Sequence, residues 1–169
     1  GKNLPAGDAT VIDAAGRWLT PGIIDVHSHL GVYASPEVWA SNDGNEATAA
    51  TTAEVWAEHS IWPQDPGFAT ARAGGVTTLQ ILPGSANLIS GRGVVVKNVP
   101  ATTYQAMLFP GAKRSLKMAC GENPRRVHGL EGRHAPSTGM GNVAGYRAAF
   151  AKAVSYREKW DAWNKAQSG

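Results

Sequence analysis

Two histidines one residue apart, His27 and His29, close the apolar run Pro21-Gly22-Ile23-Ile24-Asp25-Val26-His27-Ser28-His29-Leu30. Neutral imidazole nitrogens are ligands for divalent metals and bind Zn²⁺ at about 2.0–2.1 Å. The run predicts a short buried strand. Side chains on a strand alternate, so Asp25, His27 and His29 share one face while Ile24, Val26, Ser28 and Leu30 share the other. Polar groups left unpaired in a core are costly. A divalent cation with water is the economical compensation, and the chemistry it points to is metal-dependent hydrolysis. Asp25 is expected in support, as an acceptor that orients a ligand imidazole or holds a strand-end contact. The plainer alternative is a pair of hydrogen-bonded core histidines in a non-catalytic binding or scaffold protein.

Two further stretches carry candidates. Val76-Thr77-Thr78-Leu79-Gln80-Ile81-Leu82 ends at Pro83-Gly84 and is followed by Ser85, Asn87 and Gly91-Arg92-Gly93. If these lie in loops after a barrel strand, Ser85, Asn87 and Arg92 face substrate, with Arg92 binding a carboxylate through its planar fork. Lys117 sits in the apolar run Leu116–Cys120, and Glu122 follows it. Lys117 is a candidate bridging ligand in carbamylated form or a substrate-binding cation, and Glu122 a candidate carboxylate ligand. Equally, Lys117 can snorkel to solvent and Glu122-Asn123-Pro124 can be a turn. His59, His128 and His134 read as exposed or hydrogen-bonded, and the lone Cys120 as a small buried hydrophobe. Trp39, Trp56 and Trp62 read as core packing or pocket wall.

The elements that must position these residues have an α/β pattern. Ala9–Asp13 reads as a short strand, Asp13–Arg17 as a turn, and residues 1–20 as the remnant of a larger sheet. The Ala-rich segment Glu46–Ser60 is a helix candidate, weakened by Thr48, Thr51 and Thr52. Phe68–Gly74 predicts a helix closed by Gly74-Gly75, and Val76–Leu82 a buried strand. Helix, Gly-Gly and β-branched strand together predict parallel pairing. Val94–Lys97, Ala106–Phe109 and Leu116–Cys120 are further short apolar runs, and Gly91-Arg92-Gly93 reads as a turn. From Gly141 to Gln167 the apolar residues recur at helical steps, with Asn142 as the expected cap.

Composition bounds the rest. Hydrophobic residues make up 43% and charged residues 17% of 169, which is globular, and the formal charge is only +3. The basic residues are scattered, so a nucleic-acid footprint is not expected. No stretch is apolar enough to span a bilayer, and a soluble chain, cytoplasmic or exported, is expected. With one cysteine there is no internal disulfide. The first residue is Gly1 and the pattern opens mid-element, so a missing native N-terminus is expected.

Three motifs carry a family resemblance. Trp18-Leu19-Thr20-Pro21-Gly22-Ile23-Ile24-Asp25-Val26-His27-Ser28-His29 resembles the first barrel strand of the amidohydrolase superfamily. Ala73-Gly74-Gly75-Val76-Thr77-Thr78 resembles the second-strand signature of its imidazolonepropionase-like branch, and Lys117–Val127 a block of that branch's uncharacterised members. The resemblance implies a partial (β/α)8 TIM barrel over 21–169, with residues 1–20 the remnant of a small β-sandwich. It also implies one or two divalent metals, zinc foremost, held by His27 and His29, with Lys117 or Glu122 as further ligands. A metal that polarises a carbonyl and activates water would cleave a C–N bond of an amide or cyclic amide. A related metallo-dipeptidase is the alternative within that chemistry. The expected partner is a small amide or peptide-like substrate, and a homo-oligomer is left open. The family pattern also needs two later histidines and an aspartate on the last strand, which this chain lacks. An N-terminal piece, inactive alone and with its general base outside the chain, is therefore expected.

Overall fold

In the computed structural model, which describes residues 5–168, four strands form one mixed sheet in the order β1-β2-β3-β4. They are β1 (Ile23–Ser28), β2 (Val76–Ile81), β3 (Ile89–Lys97) and β4 (Ser115–Met118). β1 and β2 pair in parallel, with Asp25 opposite Leu79. The preceding helix α1 (Pro66–Ala73) makes that possible by carrying the chain back across the sheet. The Asp65 side chain caps α1 by accepting from Gly67 N, and Gly75 (φ +89°) turns the chain into β2. Helix, glycine turn and strand thus form as their residues predict.

β3 departs from the all-parallel expectation by running antiparallel to both β2 and β4. A parallel crossover needs about a dozen residues or more, and the link 82–88 is too short for one. Gly91-Arg92-Gly93 accordingly lies within β3 and is not a turn. Gly91 sits beside a register shift at φ +123°, and a Cβ there would lie 2.6 Å from the Val55 side chain.

The segment 46–60 forms no α-helix apart from a short 3₁₀ turn at Ala57–Ser60. It runs along β3 instead: Thr52 N donates to Ile89 O at 2.8 Å, and Arg92 N to Val55 O at 2.8 Å. Covering that strand's edge outweighs the weak helix preference of a threonine-rich stretch. Residues 9–13 form no strand, although Arg17 N closes the expected turn onto Ala14 O.

The core gathers Val32, Ile61, Phe68, Leu79, Ile81, Val94, Val96 and Met107 between the sheet, α1 and the short helix α2 (Tyr104–Met107). β1, by contrast, is not buried. It is an edge strand with a partner on one side, and Ile24 and Val26 remain 66% and 68% exposed. Trp39 is 93% exposed and lies outside the core. Trp56 instead stacks on His59 and carries the guanidinium groups of Arg92 and Arg114 near its ring. Arg114 reaches on to the buried Glu58 in a bidentate pair at 2.5 and 2.7 Å.

After β4 come a short helix α3 (Glu122–Arg125), a π-helical turn (Arg126–Glu131) and the long helix α4 (Gly139–Gln167). Thr138, not Asn142, caps α4: its hydroxyl accepts from Gly141 N at 3.0 Å. Asn142 lies inside the helix, and its amide donates to the carbonyls of Cys120 and Gly121. Cys120 falls beyond the end of β4 and is exposed, not buried as expected. Phe150, Val154, Trp160 and Trp163 on α4 are exposed.

Candidate active site

The C-terminal end of β1 places His27 and, one residue beyond the strand, His29. Their rings stand edge to face with centroids 5.2 Å apart. His29 Nδ1 lies 2.8 Å from the Leu82 carbonyl. A carbonyl only accepts, so Nδ1 carries the hydrogen and Nε2 presents a lone pair. Burial lowers the His29 pKa, partly offset by the Leu82 contact, and His27 and Lys117 lower it further. The neutral, ligand-competent form is therefore favoured.

The loop that follows is held by a buried carboxylate. Asp65 accepts from Gly31 N at 2.8 Å and Ser35 N at 3.2 Å while it caps α1. The turn after His29 is thereby tied to the helix that feeds β2. Tyr33 from this turn packs its ring edge-on against His29 at 5.4 Å.

Lys117 comes from β4 and brings Nζ to 3.4 Å from His27 Nε2. Burial lowers its pKa, which raises the share of neutral amine. Asp25 accepts the backbone N–H of His27 at 3.0 Å, so its contact is with the strand end and not with an imidazole ring. Glu122 opens α3 in an exposed position. Among the described residues no three or more His, Cys, Asp or Glu side chains converge on a point fit for a metal ion. The donors brought together are two imidazoles and one half-buried amine. In kind they suit a divalent cation of intermediate softness, and in number they are an incomplete set.

A cleft of about 270 Å³ opens beside His29, lined also by Tyr33, Asn45, Ser85, Asn123 and Arg126. Ser85 lines this cleft, and its Oγ accepts from Asn123 Nδ2 at 2.5 Å. Asn87 is not available to a substrate. It is 1% exposed; its amide donates to Glu46 O and Thr52 Oγ1, and its Oδ1 lies 2.8 Å from His128 Nε2. Arg92 also lies elsewhere, with its guanidinium 4.5 Å from the centre of the Trp56 ring and its Nε on Ala53 O. The β3 strand that replaces the expected turn carries it there. Tyr33, Asn45, Asn123 and Arg126 escaped the reading of the sequence. Only the Arg125-Arg126 pair directly after Asn123-Pro124 carried a signal, because a doubled arginine beside a turn is a candidate anion contact.

No protein-family model matches the chain. It is 39% identical to the amidohydrolase tasK of Hapsidospora irregularis over 92% of its own length and 17% of that protein's. The structure superposes on a crystal structure of an amidohydrolase from Thermotoga maritima MSB8 with a TM-score of 0.88. That match has 40% identity and covers 95% of this chain and 41% of the other. The chain belongs to the amidohydrolase superfamily. An imidazolonepropionase of Stenotrophomonas maltophilia (strain R551-3) matches half of the chain at 34% identity and 24% of its own length. The chain thus spans less than half the length of each of these superfamily members.

Proposed function

We propose that this chain forms the strand ends of a hydrolase that binds a divalent metal, zinc foremost, and cleaves a C–N bond of an amide or cyclic amide. The observation that carries the reading is the fixed tautomer of His29 beside His27, with the Lys117 amine facing the same pair. A bound cation would supply Lewis acidity toward an amide carbonyl and toward water. His27 and His29 would hold it from one rigid element. Lys117 would act either as a carbamylated ligand to a second ion or as a cation for substrate, and its lowered pKa favours the carbamate route by freeing a neutral amine to add to dissolved CO₂ with release of a proton to water. Asp25 would steady the strand end through the His27 backbone. The remaining ligands and the general base would come from the part of the superfamily architecture, a complete barrel with a flanking β-sandwich, that this chain does not span. The chain alone would then lack activity.

The test is metal content together with turnover. The intact gene product, purified without chelator, should retain near-stoichiometric metal by mass spectrometry and hydrolyse members of a panel of small amides, lactams and dipeptides. A preference for dipeptides would shift the reading to a metallo-dipeptidase. A pure, folded, metal-free protein that no added Zn²⁺ loads would leave the histidine pair structural.

A further inference from the structure

The turn over residues 34–42 holds a tryptophan out into solvent on a fixed frame. Ser41 knits that frame together. Its backbone N donates to Val38 O at 3.0 Å, its carbonyl accepts from Ala34 N at 3.3 Å, and its Oγ accepts from Val38 N at 3.4 Å. Asn42 N closes onto Trp39 O at 3.2 Å. On this frame Trp39 is 93% exposed and Val38 53%. Beside them runs a groove of about 460 Å³ with an apolar lining of Ala34, Pro36, Val38, Ala40, Ile61 and Trp62. A large aromatic side chain fixed in water next to an apolar groove marks an interaction surface. We infer that this face is an interface between two copies of the chain, related by a two-fold axis, in which Trp39 of each copy fills the groove of the other.

Three observations single out a second copy as the occupant. First, knob and hole lie on one face. Trp39 emerges between Val38 and Ala40, both of which line the groove. A two-fold axis beside this turn then places each indole at the other copy's groove, the reciprocal contact that an isologous interface requires. A different protein filling the groove would leave Trp39 still in need of a hole. Second, the area suffices. Trp39 at 93% and Trp62 at 44% exposure offer roughly 300 Å² per copy, since an aromatic side chain buries up to about 250 Å². With Pro36, Val38 and Ala40 the patch reaches roughly 600 Å² per copy, the lower bound for a stable interface of about 1,200 Å² in total. Third, the centre is poor in charge. The groove lining contains no lysine or arginine, and its one carboxylate, Asp43, is exposed. The cores of interfaces have that composition, with charge left to the rim.

The test is the association state of the intact gene product and needs no turnover. Sedimentation velocity from about 1 to 100 µM should show a reversible monomer–dimer equilibrium with a micromolar midpoint, as a contact of this modest area predicts. Trp39→Ala removes the knob and Ala40→Arg blocks the hole. Each should weaken the dimer by about thirtyfold or more, as the loss of a central tryptophan contact does, with an unchanged far-ultraviolet circular dichroism spectrum. Both positions are exposed, and the second variant keeps the test open should the first fail to fold. A protein that stays monomeric over the whole range would overturn the inference, and so would a dimer that survives both variants. Oligomers that grow past the dimer with concentration would also overturn it, because a two-fold contact closes on itself. A monomer in which acrylamide quenches the tryptophan fluorescence of wild type and Trp39→Ala alike would show instead that the rest of the same polypeptide covers Trp39.

Discussion

Two pairs of histidine rings lie in this chain, and nearly equal separations hide opposite situations. His27 and His29 have centroids 5.2 Å apart at the open end of an edge strand, with a lysine amine close by. His128 and His134 have centroids 4.8 Å apart, but His128 is 1% exposed and its Nε2 is committed to Asn87 Oδ1. The Asn87 amide is itself oriented by the Glu46 carbonyl. In the first pair, no hydrogen bond among the described residues claims His29 Nε2. The second joins the turn after α3 to the loop after β2. Whether a ring is a ligand or a brace is decided by what its second nitrogen touches and by whether the first remains free.

The sharpest way to break this contrast is to remove the open pair. His27→Ala with His29→Ala should cut retained metal by more than tenfold by mass spectrometry, with a stability loss of only about 1 kcal/mol from the Leu82 contact. A double variant that keeps its metal would end the distinction. His128→Ala should behave inversely. Losing a buried, hydrogen-bonded ring and orphaning Asn87 should cost about 3 kcal/mol in a denaturant melt while metal content stays the same. If His128→Ala also strips the metal, the two pairs are one functional unit.

Asp65→Ala probes the support beneath the open pair. It removes a helix cap and two further buried acceptor contacts on Gly31 and Ser35, at a cost of about 2 kcal/mol. Because the turn after His29 then loosens, metal retention should fall with it.

The smallest effect is a pH dependence. Burial, helped by His134, holds the His128 pKa below 6.5. At a pH between its folded and unfolded values the unfolded chain binds more protons, so stability falls as pH drops. The contribution is complete above about pH 6.5, the unfolded value, and is lost as pH falls through the folded one. His128→Gln should flatten this part of the stability profile, measured by urea titration from pH 8 to pH 5. An unchanged slope would mean the ring is not sealed in solution.

Much of the β1–α1–β2 unit was legible, because its signals are local. Phe68–Gly74 reads as a helix, Gly74-Gly75 ends it, and a β-branched run follows, whereas the capped start at Asp65-Pro66 reads only as a break in the pattern. β3 was misjudged in direction and length because glycines inside a bent strand look like a turn when its partners are unseen. Residues 46–60 looked helical because alanine content is visible and an unpaired strand edge waiting for them is not. Asn142 looked like a cap for want of the Cys120 and Gly121 carbonyls that hold it inside the helix. Arg92 and Asn87 were placed by proximity in sequence to a strand end, and each was drawn off by partners more than thirty positions away.

What the sequence by itself determined is the pairing of His27 with His29, since a strand repeats its side-chain direction every second residue whatever surrounds it. It determined the family for the same reason: short motifs carry local geometry. Only the tertiary structure decided that Lys117 faces His27 across ninety positions, that Arg126 and not Arg92 borders the cleft, and that His128 is sealed while His29 is open. Those placements depend on which strands pair and which way they run. Strand direction is set by link length and edge pairing over the whole chain, and no local window contains it.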